Sequence, residues 1–437
     1  MFILNSPPSS EEAYKYGKDT SLLWLYFVCS IAQASVKDEI TRLYFLTREG
    51  EFFLQIWDKL AKRLTQGSNW PPASLLEVSR VSTFGPAVIS SSSGTLEQLF
   101  LIYRKQTLYT LLKSLNCYDS EVERIIKTYS ISLNEPLKFS SLQSTLQDLL
   151  KNKELTDYVF NKLNNNKEIL VQYLLEQGWD SNVQTKLAVV DIGWHGSIQE
   201  NLSKVFNGRY KLFGYYFGLK KSRFPSQKNL IKRGIVFNQD TQEDFRPLSI
   251  FQPWDVSLIE MMTTSGKGSV KGYEKKNGSI LPLRPVNLLE QKSFFQFSYS
   301  YQEGVLDGLE YWIQLINSGS TDEKKLLTKA KSLYRELCFN PPRLVKQAFV
   351  RYIYEDEYGL GKNVYHETQK LNNGMSFKYV LKSLCTACGR KHLKEFAKSH
   401  KDIYSLDSCP GLSSLERLVW KVVLLIANSF YIYILKR

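Results

Sequence analysis

The residues best suited to chemistry lie in one stretch, Leu187-Ala188-Val189-Val190-Asp191-Ile192-Gly193-Trp194-His195-Gly196-Ser197-Ile198-Gln199-Glu200. Four apolar residues run into an acid, then a loop with two glycines, then a polar residue that opens a helix. Leu187 to Val190 read as a short buried strand. Ser197 and Glu200 have the spacing of a capping box, which predicts a helix from Ser197 to about Phe206. Strand, glycine loop and helix N-terminus together make an anion site. The loop amides and first-turn N–H groups face the ligand, and the helix dipole favours negative charge. Asp191, at the strand's carboxyl end, would repel a phosphate. It suits a sugar hydroxyl, a metal ion or a proton in transfer. A motif this short would look the same in an ordinary strand-to-helix turn.

The same grammar recurs. Arg42 to Leu46 read as a strand that ends in Thr47-Arg48-Glu49-Gly50 and passes into a helix, Glu51 to Leu64. Leu75 to Val78 are strand-like and end in Ser79-Arg80, and Leu212 to Leu219 read as a fourth strand. Strands alternating with helices predict an α/β chain with a Rossmann-like, mostly parallel sheet. Ligands of such sheets bind outside the carboxyl ends of the strands, which places Arg48, Glu49, Arg80 and Asp191 on one crevice. A single arginine there would read as a solvated surface residue. Two arginines and two acids, each after an apolar strand, argue for a site.

Around these elements the chain divides as follows. Residues 1–15 read as a lead-in, with Pro7, Pro8, Ser9 and Ser10, and Ser21 to Ala34 as a buried helix. An α/β core is expected over 16–290. It is interrupted at 95–180 by a helical insertion: Leu96 to Leu115, Ser120 to Tyr129, Leu142 to Leu150 and Asp157 to Glu176 have helical apolar spacing. Such an insertion suits a lid or an acceptor surface. A short strand is expected around Ile235 to Phe237, then a helix from Asp255 to Met262 that carries Glu260. Thr263 to Ser269 follow as a donor-rich loop with Gly266, Lys267, Gly268 and Ser269. It lacks P-loop spacing; it suits a phosphate clamp or a hairpin turn. Residues 291–402 read as a helical C-terminal region.

With 43% hydrophobic and 23% charged residues, the chain has a globular composition. Its net charge of +14 points to acidic partners: phosphorylated small molecules, a membrane surface or nucleic acid. No standard nucleic-acid module is visible, which ranks that class last. Met1 to Tyr16 lack signal-peptide character, and six cysteines in so long a chain are no disulfide framework, so the cytoplasm is the expected location. Cys385, Cys388, His392 and Cys409 match no standard zinc spacing, and no zinc is expected. The four histidines form no metal pattern.

Lys378, Lys382, Arg390, Lys391, Lys394, Lys398 and Lys401 form a basic run opposed only by Glu395. Within 403–437, Ser413 and Glu416 have capping-box spacing, and Leu418 to Leu435 are apolar except for Lys421, Asn428 and Ser429. A spanning helix needs roughly 20 clean apolar residues. The stretch suits an interfacial helix on an anionic leaflet, or a helix buried in the core.

Several of these residues occur in a telling order: Tyr44 to Gly50, Ser79-Arg80, Val190 to Gln199, Gly214-Tyr215-Tyr216-Phe217-Gly218, and Glu260 with Gly268-Ser269. In this the chain resembles the glycan phosphoribosyltransferase half of bacterial dual-domain ribofuranosyltransferases, over about residues 15–290. The Asp191-Ile-Gly-Trp motif and the Arg48-Glu49-Gly50 turn are its most specific parts. The resemblance implies transfer of 5-phosphoribose from phosphoribosyl pyrophosphate to a hydroxyl of a lipid-linked glycan in O-antigen or capsule synthesis. Pyrophosphate leaves, and the anomeric centre inverts to the β-ribofuranoside. The family's haloacid-dehalogenase-type phosphatase domain has no counterpart here, so a separate phosphatase is expected, or a product that keeps its 5-phosphate. The place of work would be the inner face of the cytoplasmic membrane.

For that reaction the expected roles are these. Asp191 is the general base, with Glu49 second; either acid could instead hold the ribose hydroxyls or Mg²⁺. Arg48, Arg80 and Lys267 would neutralise the leaving pyrophosphate, with Ser269 beside them. Gly193, Trp194, His195, Gly196 and Ser197 would form the phosphate loop. Glu260 would support the site by orienting an arginine. Mg²⁺ is left open as a companion of the pyrophosphate donor. Two other classes compete: a glycosyltransferase using a nucleotide sugar, which would need a base site that no motif marks, and a non-catalytic scaffold on the membrane surface.

Overall fold

Along three adjacent strands the side chains alternate between two cores. Leu43, Phe45, Ala188, Val190, Phe213, Tyr215 and Phe217 enter one; Tyr44, Leu46, Leu187, Val189 and Leu212 enter the other. Period-two burial on both faces is the signature of a sheet covered by helices on each side. The computed structural model describes residues 7–65, 67–90, 99–100, 106–137, 152–179, 185–220, 227–238, 254–320, 322–339, 341–360 and 362–365.

The chain opens with α1 (Ser10–Lys37), then β1 (Arg42–Leu46), α2 (Gly50–Arg63), β2 (Ala73–Leu76) and α3 (Arg80–Ser90). The insertion holds β3 (Gln106–Thr107), α4 (Leu108–Ser114), α5 (Ser120–Thr128), β4 (Pro136–Leu137) and α6 (Lys153–Glu176). The core resumes with β5 (Leu187–Trp194), α7 (Ser197–Val205), β6 (Leu212–Leu219), β7 (Leu230–Asn238) and α8 (Trp254–Thr263). A hairpin, β8 (Gly272–Lys276) with β9 (Ser279–Leu283), precedes α9 (Leu288–Ser293). A π turn at Phe294–Ser298 leads into α10 (Tyr299–Asn317); α11 (Glu323–Phe339), α12 (Arg343–Phe349) and an antiparallel pair, β10 (Ile353–Asp356) with β11 (Lys362–Tyr365), follow.

The main sheet has the order β2-β1-β5-β6-β7, and every pairing is parallel. The chain moves outward from β1 to β2 on one side, and from β5 through β6 to β7 on the other. Between β1 and β5 the direction of winding reverses, which opens a crevice at their carboxyl ends.

α1 and α10 form the longest helical contact. Their backbones nearly touch: a Cβ on Gly17 would lie 2.0 Å from the Tyr301 carbonyl oxygen, and one on Gly304 would lie 1.9 Å from that of Tyr14. α1 buries Leu22, Leu23, Trp24, Phe27, Val28 and Ile31 almost completely, each contributing about 1.5–3 kcal/mol of transfer energy. The insertion closes on a core of its own, with Phe84, Leu111, Leu112, Val122, Ile125, Leu155 and Leu163.

Some expectations need correction. The lead-in is shorter than 1–15, because Ser9 and Glu12 make a reciprocal capping box that starts α1 at Ser10. Ser197 and Glu200 make no such box: the N-cap is Gly196, in the left-handed region at φ 65°, and no side chain caps α7. The Glu200 carboxylate is taken by Lys232 instead. β5 runs four residues past Val190, since parallel pairing to β6 continues from Gly193 and Trp194 to Gly218 and Leu219. The insertion carries the small β3–β4 pair among its helices, and the β8–β9 hairpin was not foreseen. The expected helix at 142–150, the basic run at 378–401, the cysteine group at 385–409 and the apolar stretch at 418–435 lie outside the described residues. Among the described residues no helix is long and apolar enough to cross a membrane.

Candidate active site

Where the winding reverses, Thr47, Arg48 and Glu49 after β1, Ser79 and Arg80 after β2, and Asp191 to His195 at the end of β5 line one cavity. Ser197 and Ile198 from α7, Glu260 from α8, Ser269, Tyr354 and Tyr358 complete it. It holds about 170 Å³ open to solvent, roughly ten times what one ordered water requires, so it has room for a small ligand.

Each wall has a local cause. The Thr47 hydroxyl donates to the Val78 carbonyl at 2.8 Å and ties the ends of β1 and β2 together. Ser79 and Ser82 exchange backbone-to-hydroxyl bonds at 2.9 and 3.0 Å, a reciprocal cap that starts α3 and sets Arg80 in its first turn. The Ser79 hydroxyl also donates to the Val270 carbonyl at 2.6 Å, which fastens the Thr263–Ser269 loop to the end of β2.

Three residues after Asp191 are left-handed: Gly193 (φ 106°), Trp194 (φ 73°) and Gly196 (φ 65°). A Cβ on Gly193 would meet the Gly218 carbonyl oxygen at 2.3 Å, so only glycine fits between β5 and β6 there. Trp194 holds a conformation that costs a side-chain-bearing residue about 1–3 kcal/mol. Its indole repays this by stacking on Phe237 and donating from Nε1 to the Glu260 carboxylate at 3.0 Å. The loop carbonyl of His195 accepts from Lys232 at 2.8 Å. α7 therefore begins at a glycine cap, with its first-turn N–H groups turned to the cavity end of the sheet.

Three carboxylates share this space. Burial, and next the charge of Glu49, push the Asp191 carboxyl up to about 7 from 3.8; the Ile192 N–H, bonded at 2.8 Å, and Arg80 pull the other way. Burial and Glu49 likewise push Glu260 up to about 7, against the Trp194 N–H and the two arginines. Glu49 is itself 7% exposed. Burial alone would disfavour the Arg48 guanidinium, but Glu290 of α9 holds it charged, with Nη1 to Oε1 at 2.5 Å. Arg80 is exposed and lies 5.3 Å from the centre of the Tyr358 ring.

The structure thus brings Arg48, Glu49, Arg80, Asp191, Gly193, Trp194, His195, Ser197, Glu260 and Ser269 to one cavity. Two expected residues do not line it. Gly196 lies behind it, where a Cβ would meet the Tyr216 hydroxyl at 2.6 Å, and acts as the helix cap. Lys267 points away, 68% exposed, with its ammonium 3.3 Å from Glu51. The cation that organises its loop is Arg284, 7% exposed, which binds Glu51 at 2.6 Å and Glu77 at 3.1 Å and donates to the Gly268 carbonyl at 2.8 Å. Glu260 is held by the Trp194 indole and lies within electrostatic reach of Arg48 and Arg80. Sequence reasoning missed Tyr354, Tyr358, Glu290 and Arg284, which reach the site from segments with no motif. The reciprocal spacing of Ser79 and Ser82 was the one local signal available.

No model of a known protein family matches the chain, and no curated protein matches its sequence.

Proposed function

We propose that the chain is a glycan phosphoribosyltransferase, a pentosyltransferase that moves 5-phosphoribose from phosphoribosyl pyrophosphate to a hydroxyl of a bacterial surface-polysaccharide acceptor. The observation that carries this reading is the convergence, in one cavity at the β1/β5 reversal, of two arginines, three carboxylates and the bare N-terminus of α7. A donor with phosphate at both ends of a ribose needs two anion sites flanking a reacting carbon. The glycine-capped end of α7 supplies one and the Arg48–Arg80 side the other.

In this reading Asp191 takes the proton of the acceptor hydroxyl as its oxygen forms a bond to the anomeric carbon. The bond from that carbon to the pyrophosphate oxygen breaks, and the arginines neutralise the charge that departs. A carboxyl that titrates near 7 is matched to this duty at neutral pH. Glu49 and Glu260 stand beside the carbon as it gains positive character, and one-step displacement inverts the centre to β. The described residues contain no group of three or more His, Cys, Asp or Glu arranged to hold a metal ion. In this reading Mg²⁺ would accompany the pyrophosphate, with Asp191 or Glu49 as the acid that could meet it. A lipid-linked glycan at the inner face of the cytoplasmic membrane supplies the acceptor hydroxyl; the 5-phosphate is then removed by a separate phosphatase or stays on the product.

Calorimetric titration with phosphoribosyl pyrophosphate, with and without Mg²⁺, tests this against a panel of nucleotide sugars. Selective binding of the pyrophosphate donor is expected. Binding of a nucleotide sugar in its place overturns the donor, and silence on every ligand favours a scaffold.

A further inference from the structure

The helical run from Leu288 to Tyr301 supplies Glu290, the partner of Arg48, and exposes an apolar stripe. Its inward side buries Glu290, Ser293, Phe297, Ser298 and Tyr301. Its other side carries Leu288, Lys292, Phe295 and Tyr299, spaced by four, three and four residues along one stripe. Leu288 is 74% exposed, Phe295 54% and Tyr299 46%. Just before it, Leu281, Leu283, Val286 and Leu289 are exposed as well. Seven of the twelve large hydrophobics exposed among the described residues thus fall in positions 281–299. Singly such residues need no explanation, but a concentration of this kind marks a contact surface.

The charge around it favours one occupant. Lys275, Lys276 and Lys292 are exposed within the same segment, against Glu274 as its one exposed acid. The chain as a whole carries +14. Exposed leucines and aromatic rings with lysines in the same segment match the two layers of an anionic leaflet: acyl chains for the apolar groups, headgroups for the ammoniums. Phe295 and Tyr299 lie 5.5 Å apart, ring to ring, as an aromatic pair suited to the boundary between the layers.

We infer that the segment from the β8–β9 hairpin through Tyr299 is a docking surface for an anionic lipid bilayer. The same segment touches residues that line the cavity or adjoin them. Glu290 pairs with Arg48, and Arg284 fixes the Gly268 carbonyl beside Ser269. Docking would therefore set the mouth of the cavity against the leaflet, where the sugar of a lipid-linked acceptor stands. That last consequence rests on the proposed function; the docking surface does not.

Vesicle co-sedimentation of the full chain tests it, with phosphatidylcholine vesicles against vesicles enriched in phosphatidylglycerol. The native chain is expected to partition to the anionic vesicles and to be released by salt. Leu288→Asp with Phe295→Asp should weaken partition by at least about tenfold. Lys275→Glu with Lys276→Glu should weaken it by less and remove most of the salt response. Phosphoribosyl pyrophosphate titration of each variant serves as the control, because none of these residues lines the cavity. Equal partition of native and Leu288→Asp/Phe295→Asp chains overturns the inference, as does absence of native partition. So does a native dimer that the apolar double variant dissolves without any vesicle binding, which would assign the surface to a second copy. Vesicle binding with no donor binding would keep the surface and sink the proposed reaction.

Discussion

Two turns of this molecule share one sequence grammar and differ in nearly everything else. Each follows a buried parallel strand and leads into a helix. The turn after β1 is built from side chains: Arg48 is locked to Glu290, and Glu49 is a buried N-cap in ordinary right-handed backbone. The turn after β5 is built from backbone. Gly193, Trp194 and Gly196 are left-handed, and no side chain caps the helix. One turn contributes fixed charge, the other contributes directed N–H groups and a single carboxylate. Neither can replace the other, since an anion needs cations for affinity and pre-set donors for orientation.

If this division is right, the two turns should fail in different ways. Asp191→Asn should cost about 10³-fold or more in transfer rate, in line with loss of a general base, while calorimetric affinity for the donor stays near native. Near-normal turnover in that variant would remove Asp191 as the base. Arg48→Ala should weaken donor binding and also lower stability by about 3 kcal/mol, because it strands Glu290 at 9% exposure without its ion-pair partner. Glu290→Gln should recover little binding, whereas a structural role for Arg48 alone would leave donor affinity intact.

Gly193→Ala tests the backbone turn. The new Cβ would overlap the Gly218 carbonyl in a left-handed conformation, so a loss of about 2–4 kcal/mol is expected by denaturant unfolding. A neutral outcome would mean that the β5–β6 contact is slack. The smallest effect is expected of Trp194→Phe. It keeps the stack on Phe237 but removes the N–H bond to Glu260, a charge-assisted bond of about 1.5–3 kcal/mol. Without that donor the Glu260 carboxyl moves further up and carries less charge, which lets Asp191 move down; the acidic limb of the rate profile should therefore shift slightly downward, at nearly constant KM.

The pH dependence has a definite sign. Asp191 titrates at about 7 in the fold against 3.8 ordinarily, and Glu260 at about 7 against 4.5. Between those values the folded chain binds protons more tightly than the unfolded one. Stability should therefore fall as pH rises from about 4 to 7 and then level. On the proposed reading, with deprotonated Asp191 as the base, transfer should rise through the same window and plateau. Asp191→Asn should flatten part of the stability slope, which chemical denaturation at several pH values would show.

The parallel sheet was legible because Arg42–Leu46, Leu187–Val190 and Leu212–Leu219 are apolar runs broken by short turns, a pattern that has few other solutions. The cavity was legible as far as the strand-end rule reaches: Arg48 and Glu49 follow β1, Arg80 opens the helix after β2, and Asp191 lies in the carboxyl half of β5. The roles of Lys267 and Gly196 were not. Both sit in glycine-rich turns where composition suggests phosphate binding, and only packing showed that Glu51 faces one and Tyr216 crowds the other. The capping box at Ser197 and Glu200 failed for a related reason. Lys232 from β7, thirty-two positions away from Glu200, competes for the same carboxylate.

Local order along this chain thus follows from hydrophobic period and capping chemistry, both of which act over a few residues. Element type, the parallel class and the strand-end positions of four charged groups all belong to that range. The pairing of β1 with β5 at the centre of the sheet, the meeting of Asp191 with Glu260 and the locking of Arg48 by Glu290 do not. They join segments more than sixty residues apart, and what selects them is the joint burial of two sheet faces and the pairing of charges withdrawn from water, neither of which is written in any one stretch.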